Sequence, residues 1–335
     1  MRAFVVCGPG DASVQEVAAP VAGRGEVVVD VERVGLCGTD VEFFTGEMAY
    51  LRQGHASYPI RLGHEWCGVV SEIGDGVDRG WLGRRVTGDT MLGCGHCQRC
   101  LTGRQHVCAD RYEIGIRGGW HGALAQRLAV PATALHALPD TVSVTAGAMV
   151  EPGGNSLRAV DAAGAGPGRR VLIWGPGTIG LLAARFAAAR GAEVHVVGQQ
   201  ERSLELAREL GVPGAWTPAT LPPLAYDAVI DATNAAEVPA AALDLVEPGG
   251  RAVYIGLAGR PSLIDTRDLV LRDVTAVGIL SASPALGATI ELYASGAVDP
   301  EPLVAATVGL DEVADVLAGR RPAGPQPKVH VDPRR

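Results

Sequence analysis

Four cysteines crowd into fifteen residues as Cys94-x2-Cys97-x2-Cys100-x7-Cys108. Four thiolates at these spacings close a tetrahedron around one Zn2+ and leave no open position, so the site they predict is structural and staples a loop. A redox role for Cys97 and Cys100 alone leaves Cys94 and Cys108 unexplained. A second constellation is dispersed: Cys37-Gly-Thr39-Asp40, Gly63-His64-Glu65 and Val-Glu151-Pro. One thiolate, one imidazole and carboxylates form the mixed ligand set of a catalytic zinc, which keeps a position for water or substrate.

A third group suits a pyrophosphate. Gly175-Pro-Gly177-Thr178-Ile179-Gly180 follows the apolar run VLIW and opens the helical pattern TIGLLAARFAAARG. Gly175 makes the tight turn, Gly177 lets a pyrophosphate approach the backbone, and Gly180 lets helix and strand pack closely. The helix N-terminus then faces the phosphate charge. The end of the next strand selects the dinucleotide, and an NAD site usually carries an acidic residue there. That place falls on Gly198, followed by Gln199, Gln200 and Arg202. The glycine leaves room for a 2′-phosphate and Arg202 can neutralise it, so NADP is expected over NAD. Glu201 argues mildly the other way.

The elements that must position these groups differ along the chain. Before about residue 90, EVVVDVERVG, WCGVVSEIG and GRRVTGD read as short β-runs broken by glycine, which predicts an irregular β-rich domain. From about 150, apolar runs such as RRVLIWG, AEVHVVG and YDAVIDAT alternate with Ala-rich helical stretches. That alternation predicts βαβ units and a parallel sheet. The tail from about 282, ending in the strand-like KVHVDP, resembles neither half strongly.

Composition bounds the function. With 335 residues the chain exceeds one ordinary core, so two domains are expected. A net charge of −8 argues against a nucleic-acid surface. No apolar run nears the roughly 20 residues of a membrane helix, and the first residues lack the apolar stretch of a signal peptide. A cytoplasmic protein is expected. Seven cysteines without a secretory signal make a poor disulfide framework. Lys328, the single lysine, reads as genome composition and is given no chemistry.

The order GLCGTD, GHEWCGVVSEIG, the four-cysteine run, VEP and GPGTIG resembles the zinc-containing medium-chain dehydrogenase/reductase superfamily over nearly the whole chain. The resemblance implies a GroES-like catalytic domain over 1–152 and 282–335, carrying a zinc lobe near 90–110. It also implies an inserted Rossmann domain over 153–281, with the active site in the cleft between. It makes Cys37, His64 and Glu65 catalytic-zinc ligands, with Glu151 a fourth or occasional one, so two zinc ions per chain are expected. Glutamate at that fourth place resembles the polyol and sugar dehydrogenase branch (glucose, sorbitol, threonine), where simple alcohol dehydrogenases carry cysteine. Thr39 matches the hydroxyl that relays the substrate proton, and Asp40 a residue behind the ligands. Many members have a relay histidine where this chain has Glu42. The string CGTDxE is similar to that of zinc-dependent glucose dehydrogenases, whose glutamate contacts sugar hydroxyls.

Glu113 falls where those enzymes have another sugar-binding glutamate. Asp89, Trp120 and His121 complete the expected substrate contacts. The expected activity is hydride transfer between NAD(P) and a sugar, cyclitol or amino sugar. The alternatives are a dehydrogenase of simple secondary alcohols or aldehydes, and a non-catalytic NADPH-binding redox sensor. A zinc-free quinone reductase would lack these ligands. A homo-oligomer is implied, a tetramer more than a dimer.

Overall fold

The computed structural model describes residues 1–320, 322 and 324–335. They divide into two compact units. One holds Met1–Glu151, Leu286–Gly324 and Lys328–Arg335; the other holds Pro152–Ala285 and Pro325–Pro327.

The first unit is built on a seven-stranded sheet. Its path runs Val304–Val308, Lys328–Val331, Glu26–Leu36, Glu65–Ile73, Arg85–Gly88 and Leu135–Ala137, with Arg127–Pro131 paired to Glu26–Leu36. The long strand Glu26–Leu36 organises the rest. Its valines at 27, 28, 29, 31 and 34 are all fully buried, as β-branched side chains on a covered pleated surface should be. Trp66, Phe4, Phe43, Leu62 and Ile114 pack around them. The strand Lys328–Val331 comes from the segment that resembled neither half, and pairs antiparallel with the end of Glu26–Leu36, Val329 opposite Leu36. The last residues of the chain therefore lie beside the residue that precedes Cys37.

The second unit is a six-stranded parallel sheet in the order Gly214–Trp216, Glu193–Val197, Arg170–Trp174, Tyr226–Asp231, Val246–Tyr254, Thr275–Gly278. Numbered along the unit, this is 3-2-1-4-5-6, the doubly wound order that binds dinucleotides where the winding reverses. The helix Thr178–Ala189 turns Leu181, Leu182, Ala183, Ala184, Phe186 and Ala187 inward. With aromatics at 4% of the chain, alanine does much of this packing and lets helix and sheet approach closely. The expected fold class, a GroES-like β-rich part with a Rossmann parallel-sheet part, is the one found.

Candidate metal centres and dinucleotide site

The four cysteines of the lobe converge. The Cys97 Sγ lies 3.5 Å from that of Cys100 and 3.7 Å from that of Cys108, and Cys94 lies 3.9 Å from Cys100. A tetrahedron with Zn–S bonds of about 2.3 Å has sulfur–sulfur edges of about 3.8 Å, so these donors fit a closed zinc site. The amides of His96 and Cys97 point at Cys94 and bring its thiol down to about 6. Gly93 is required beside them, since a Cβ there would stand 2.5 Å from the Cys100 sulfur. Asp89 ties the lobe to the rest of the unit: its carboxylate accepts from the Met91 amide at 2.9 Å and from Gln105 Nε2 at 2.8 Å. Both oxygens of Asp89 thus serve as a brace, which leaves it poorly placed as the expected substrate contact.

Cys37 follows the strand Glu26–Leu36 directly and caps the helix Gly38–Thr45. His64 immediately precedes the strand Glu65–Ile73, and the pairing of Gly35 with Glu65 sets the two segments side by side. Gly63 turns the chain into His64 with φ +97°, where a Cβ would strike the Leu124 amide at 2.7 Å. The outcome is a Cys37 Sγ to His64 Nε2 separation of 3.2 Å. Asp40 stands behind both: its Oδ2 accepts from the Cys37 amide at 2.9 Å, and its Oδ1 lies 3.9 Å from His64 Nδ1. Neither Asp40 Oδ1 nor His64 Nδ1 has a hydrogen-bond partner among the described residues.

Burial pushes the Cys37 thiol and the Asp40 carboxyl up. Burial alone would depress His64, yet the Cys37 thiolate, with Asp40 and Glu151 adding to it, carries it well above its ordinary value. A thiol, an imidazole and a carboxylate held this close together make a donor set suited to a cation. Cys37, His64 and Glu65 each offer a ligand atom within 4.8 Å of the others. Glu151, in the first turn of the helix Val150–Ala163, lies outside that trio, although His64 feels its charge. These donors fit a zinc ion.

One partner in this site escaped the sequence reading. The Glu65 carboxylate is buried against Lys328, whose Nζ lies 2.6 and 2.9 Å from its two oxygens. Giving Lys328 no chemistry was therefore incorrect. The available signal was its singularity, one lysine where the 28 other cationic side chains are arginine.

On the same helix, Asp40 and Phe43 are buried whereas Thr39 and Glu42 are half-open. Their spacing of three makes Thr39 and Glu42 neighbours on one face. Burial, with Glu47 nearby, raises the Glu42 carboxyl above its usual range. Glu113 is almost fully buried, and its Oε1 accepts from Arg111 at 2.8 Å and from the Tyr50 hydroxyl at 3.2 Å. Trp120 and His121 line a cavity of about 220 Å³ with Arg61 and Arg127, and neither Glu42 nor Glu113 is in its wall.

In the second unit Gly175 has φ +103°, and a Cβ on Gly180 would stand 1.9 Å from the Gly175 carbonyl oxygen. Only glycine permits that helix–strand approach. Gly177 caps the helix Thr178–Ala189, with nothing within 4 Å of where a Cβ would be, so the backbone around Thr178 and Ile179 is open at the helix N-terminus. Gly198 follows the strand Glu193–Val197, and a Cβ there would lie 2.5 Å from Pro176 Cγ. Gln199, Gln200 and Arg202 are exposed beyond it, and Glu201 pairs with Arg208.

Residues 23–140 match the family of alcohol dehydrogenase GroES-like domains, and residues 178–295 match the zinc-binding dehydrogenase family. An uncharacterized zinc-type alcohol dehydrogenase-like protein of Escherichia coli is 30% identical over 307 residues, 88% of each chain. A sorbitol dehydrogenase of Halalkalibacterium halodurans is 28% identical over 292 residues, 83% of each chain. The solved structure of a zinc-binding dehydrogenase from Sinorhizobium meliloti bound to NADP superposes with a TM-score of 0.90 at 31% identity, over 99% of each chain. With its two-unit fold and its paired cysteine and histidine, the chain belongs to the zinc-containing medium-chain alcohol dehydrogenase superfamily and is an NAD(P)-dependent oxidoreductase acting on a CH–OH group.

Proposed function

We propose that this enzyme moves a hydride between NADP, in preference to NAD, and the secondary alcohol or ketone of a polyhydroxylated small molecule such as a sugar, cyclitol or amino sugar. The observation that carries the reading is the convergence of the half-buried Cys37 and the buried His64 on one point, backed by Asp40, with Thr39 and Glu42 on the adjoining half-open helix face.

Cys37, His64 and Glu65, with Glu151 nearby, would hold one zinc ion, and Cys94, Cys97, Cys100 and Cys108 a second. A zinc ion at the first site supplies Lewis acidity toward the substrate oxygen. Asp40 fixes the Cys37 backbone and faces His64. Thr39 takes the substrate proton through its hydroxyl. Glu42 accepts from substrate hydroxyls, which a simple alcohol lacks; a polar site of this kind rejects analogues that leave it unpaired. Resemblance to a sorbitol dehydrogenase supports this substrate class. Glu113, already held by Arg111, has less freedom for that task.

The NADP preference is supported by glycine rather than a carboxylate at position 198 and by the exposed Arg202, whose neighbour Glu201 pairs with Arg208. The same reading carries a homo-oligomer, a tetramer rather than a dimer. Leu257, Leu263, Val270 and Leu271, each at least 79% exposed, offer apolar surface for it.

The test offers pooled polyols and pooled simple secondary alcohols with NADP and NAD side by side, to wild type and to Glu42→Ala. Turnover confined to polyols, lost in the variant while cofactor affinity holds, supports the reading. Turnover confined to simple alcohols moves the substrate class there. One zinc per chain with no turnover favours a non-catalytic dinucleotide-binding protein.

A further inference from the structure

We propose that Lys328 is a positioning residue of the Cys37–His64 metal centre, restraining the Glu65 carboxylate and thereby setting how far that carboxylate shares in binding the ion. The inference rests on the metal reading above and adds a residue to it.

Lysine carries three N–H donors. All three are used here: Leu36 O at 2.9 Å, Glu65 Oε1 at 2.9 Å and Glu65 Oε2 at 2.6 Å. Leu36 precedes Cys37 and Glu65 follows His64. One ammonium therefore clamps the two segments that carry the thiolate and the imidazole. The strand that delivers it is fixed by Val329 opposite Leu36 and His330 opposite Gly35.

Gly35 completes the clamp. A Cβ at Gly35 would stand 2.1 Å from Glu65 Oε2, so the absent side chain is the space the carboxylate fills. Both Lys328 and Glu65 are 2% exposed. A buried carboxylate with its cation removed must find another partner or lose its charge. The nearest remaining claimant is an ion held by Cys37 and His64. Arginine supplies cations everywhere else in this chain, but its wide planar fork does not reproduce three donors radiating from one atom.

The experiment uses the full-length protein with zinc kept in the four-cysteine lobe and cobalt(II) exchanged into the Cys37–His64 site. Its readouts are the visible cobalt spectrum and metal affinity by chelator competition. Lys328→Met should free Glu65 to bind the ion more fully, changing the spectrum as its oxygen donor strengthens and tightening the metal about 10-fold. Lys328→Arg, which restores the charge but not the three donors radiating from one atom, should return the spectrum only part of the way to that of wild type. Gly35→Ala leaves the lysine in place and crowds Glu65 Oε2, so it should shift the spectrum in the same direction as Lys328→Met. It also keeps the test available if the lysine variant folds poorly. Cobalt spectra and affinities identical to wild type in both Lys328→Met and Gly35→Ala overturn the proposal and leave the metal centre standing. A wild type that takes up no cobalt at this site overturns the metal reading, and the proposal with it.

Discussion

The Asp40 carboxylate accepts the Cys37 amide at 2.9 Å while its other oxygen faces His64 Nδ1 at 3.9 Å, so one side chain aligns the thiol and the imidazole. Groups behind metal ligands commonly govern affinity by 10–100-fold. Asp40→Ala should weaken zinc at this site by about that factor. It should also cost about 1 kcal/mol at the helix start that Asp40 helps cap. Asp40→Asn, which keeps an acceptor without the charge, should fall between. Chelator competition and thermal unfolding measure the two effects separately.

The zinc lobe depends on Asp89 as well as on its sulfurs. Asp89→Ala removes an acceptor from both Met91 and Gln105. We expect zinc to leave the four-cysteine site several-fold faster under a chromogenic chelator, with zinc at Cys37–His64 released at the wild-type rate. Equal release from the lobe in both proteins would show that Asp89 does not hold it.

Dinucleotide choice should be resistant to the obvious substitution. Gly198→Asp places a side chain into Pro176, whose Cγ and Cδ lie 2.5 and 2.8 Å from the new Cβ. The single variant should lose affinity for both cofactors. Adding Pro176→Ala removes those atoms, and the pair should prefer NADH. Arg202→Ala should weaken NADPH about 10-fold, the worth of a charge-assisted hydrogen bond, and leave NADH unchanged. Fluorescence titration with each reduced cofactor decides both points.

Glu42 should give stability a pH dependence of known sign. Burial and the Glu47 carboxylate raise its carboxyl above the ordinary range. The folded chain thus keeps this proton to higher pH than the unfolded chain does. Its contribution is complete below the unfolded carboxyl range and is lost as pH rises through the raised folded value. Glu42→Gln removes that loss. The variant should be more stable than wild type at neutral pH, by about half a kcal/mol at most because the group is half-open and screened. The difference should vanish in acid. Denaturant titrations at several pH values measure it.

What could be read from the residues alone was what is local. The cysteine lobe and the Gly175–Gly180 turn each lie within one short stretch, so spacing carries their geometry. Cys37 and His64 are 27 residues apart, and only the motifs around them signalled that the two strands would bring them together. Glu65 and Lys328 are 263 residues apart, and their contact exists because a chain-end strand pairs beside Leu36. No periodicity announces such a pairing. Glu113 and Asp89 show the converse limit. A carboxylate in sequence does not reveal whether an arginine or an amide has already claimed it, and here Arg111 and Gln105 have.

The chain's one lysine opens the sheet strand Lys328–Val331 and is 2% exposed. An enzyme that interconverts alcohols and carbonyls works among compounds that condense with free amines. Sugars in the open-chain form do so as Schiff bases, and slow glycation follows. Arginine at physiological pH is a poor nucleophile in that condensation, because its guanidinium stays protonated. Among its side chains, the folded protein therefore offers carbonyl compounds no exposed lysine to condense with.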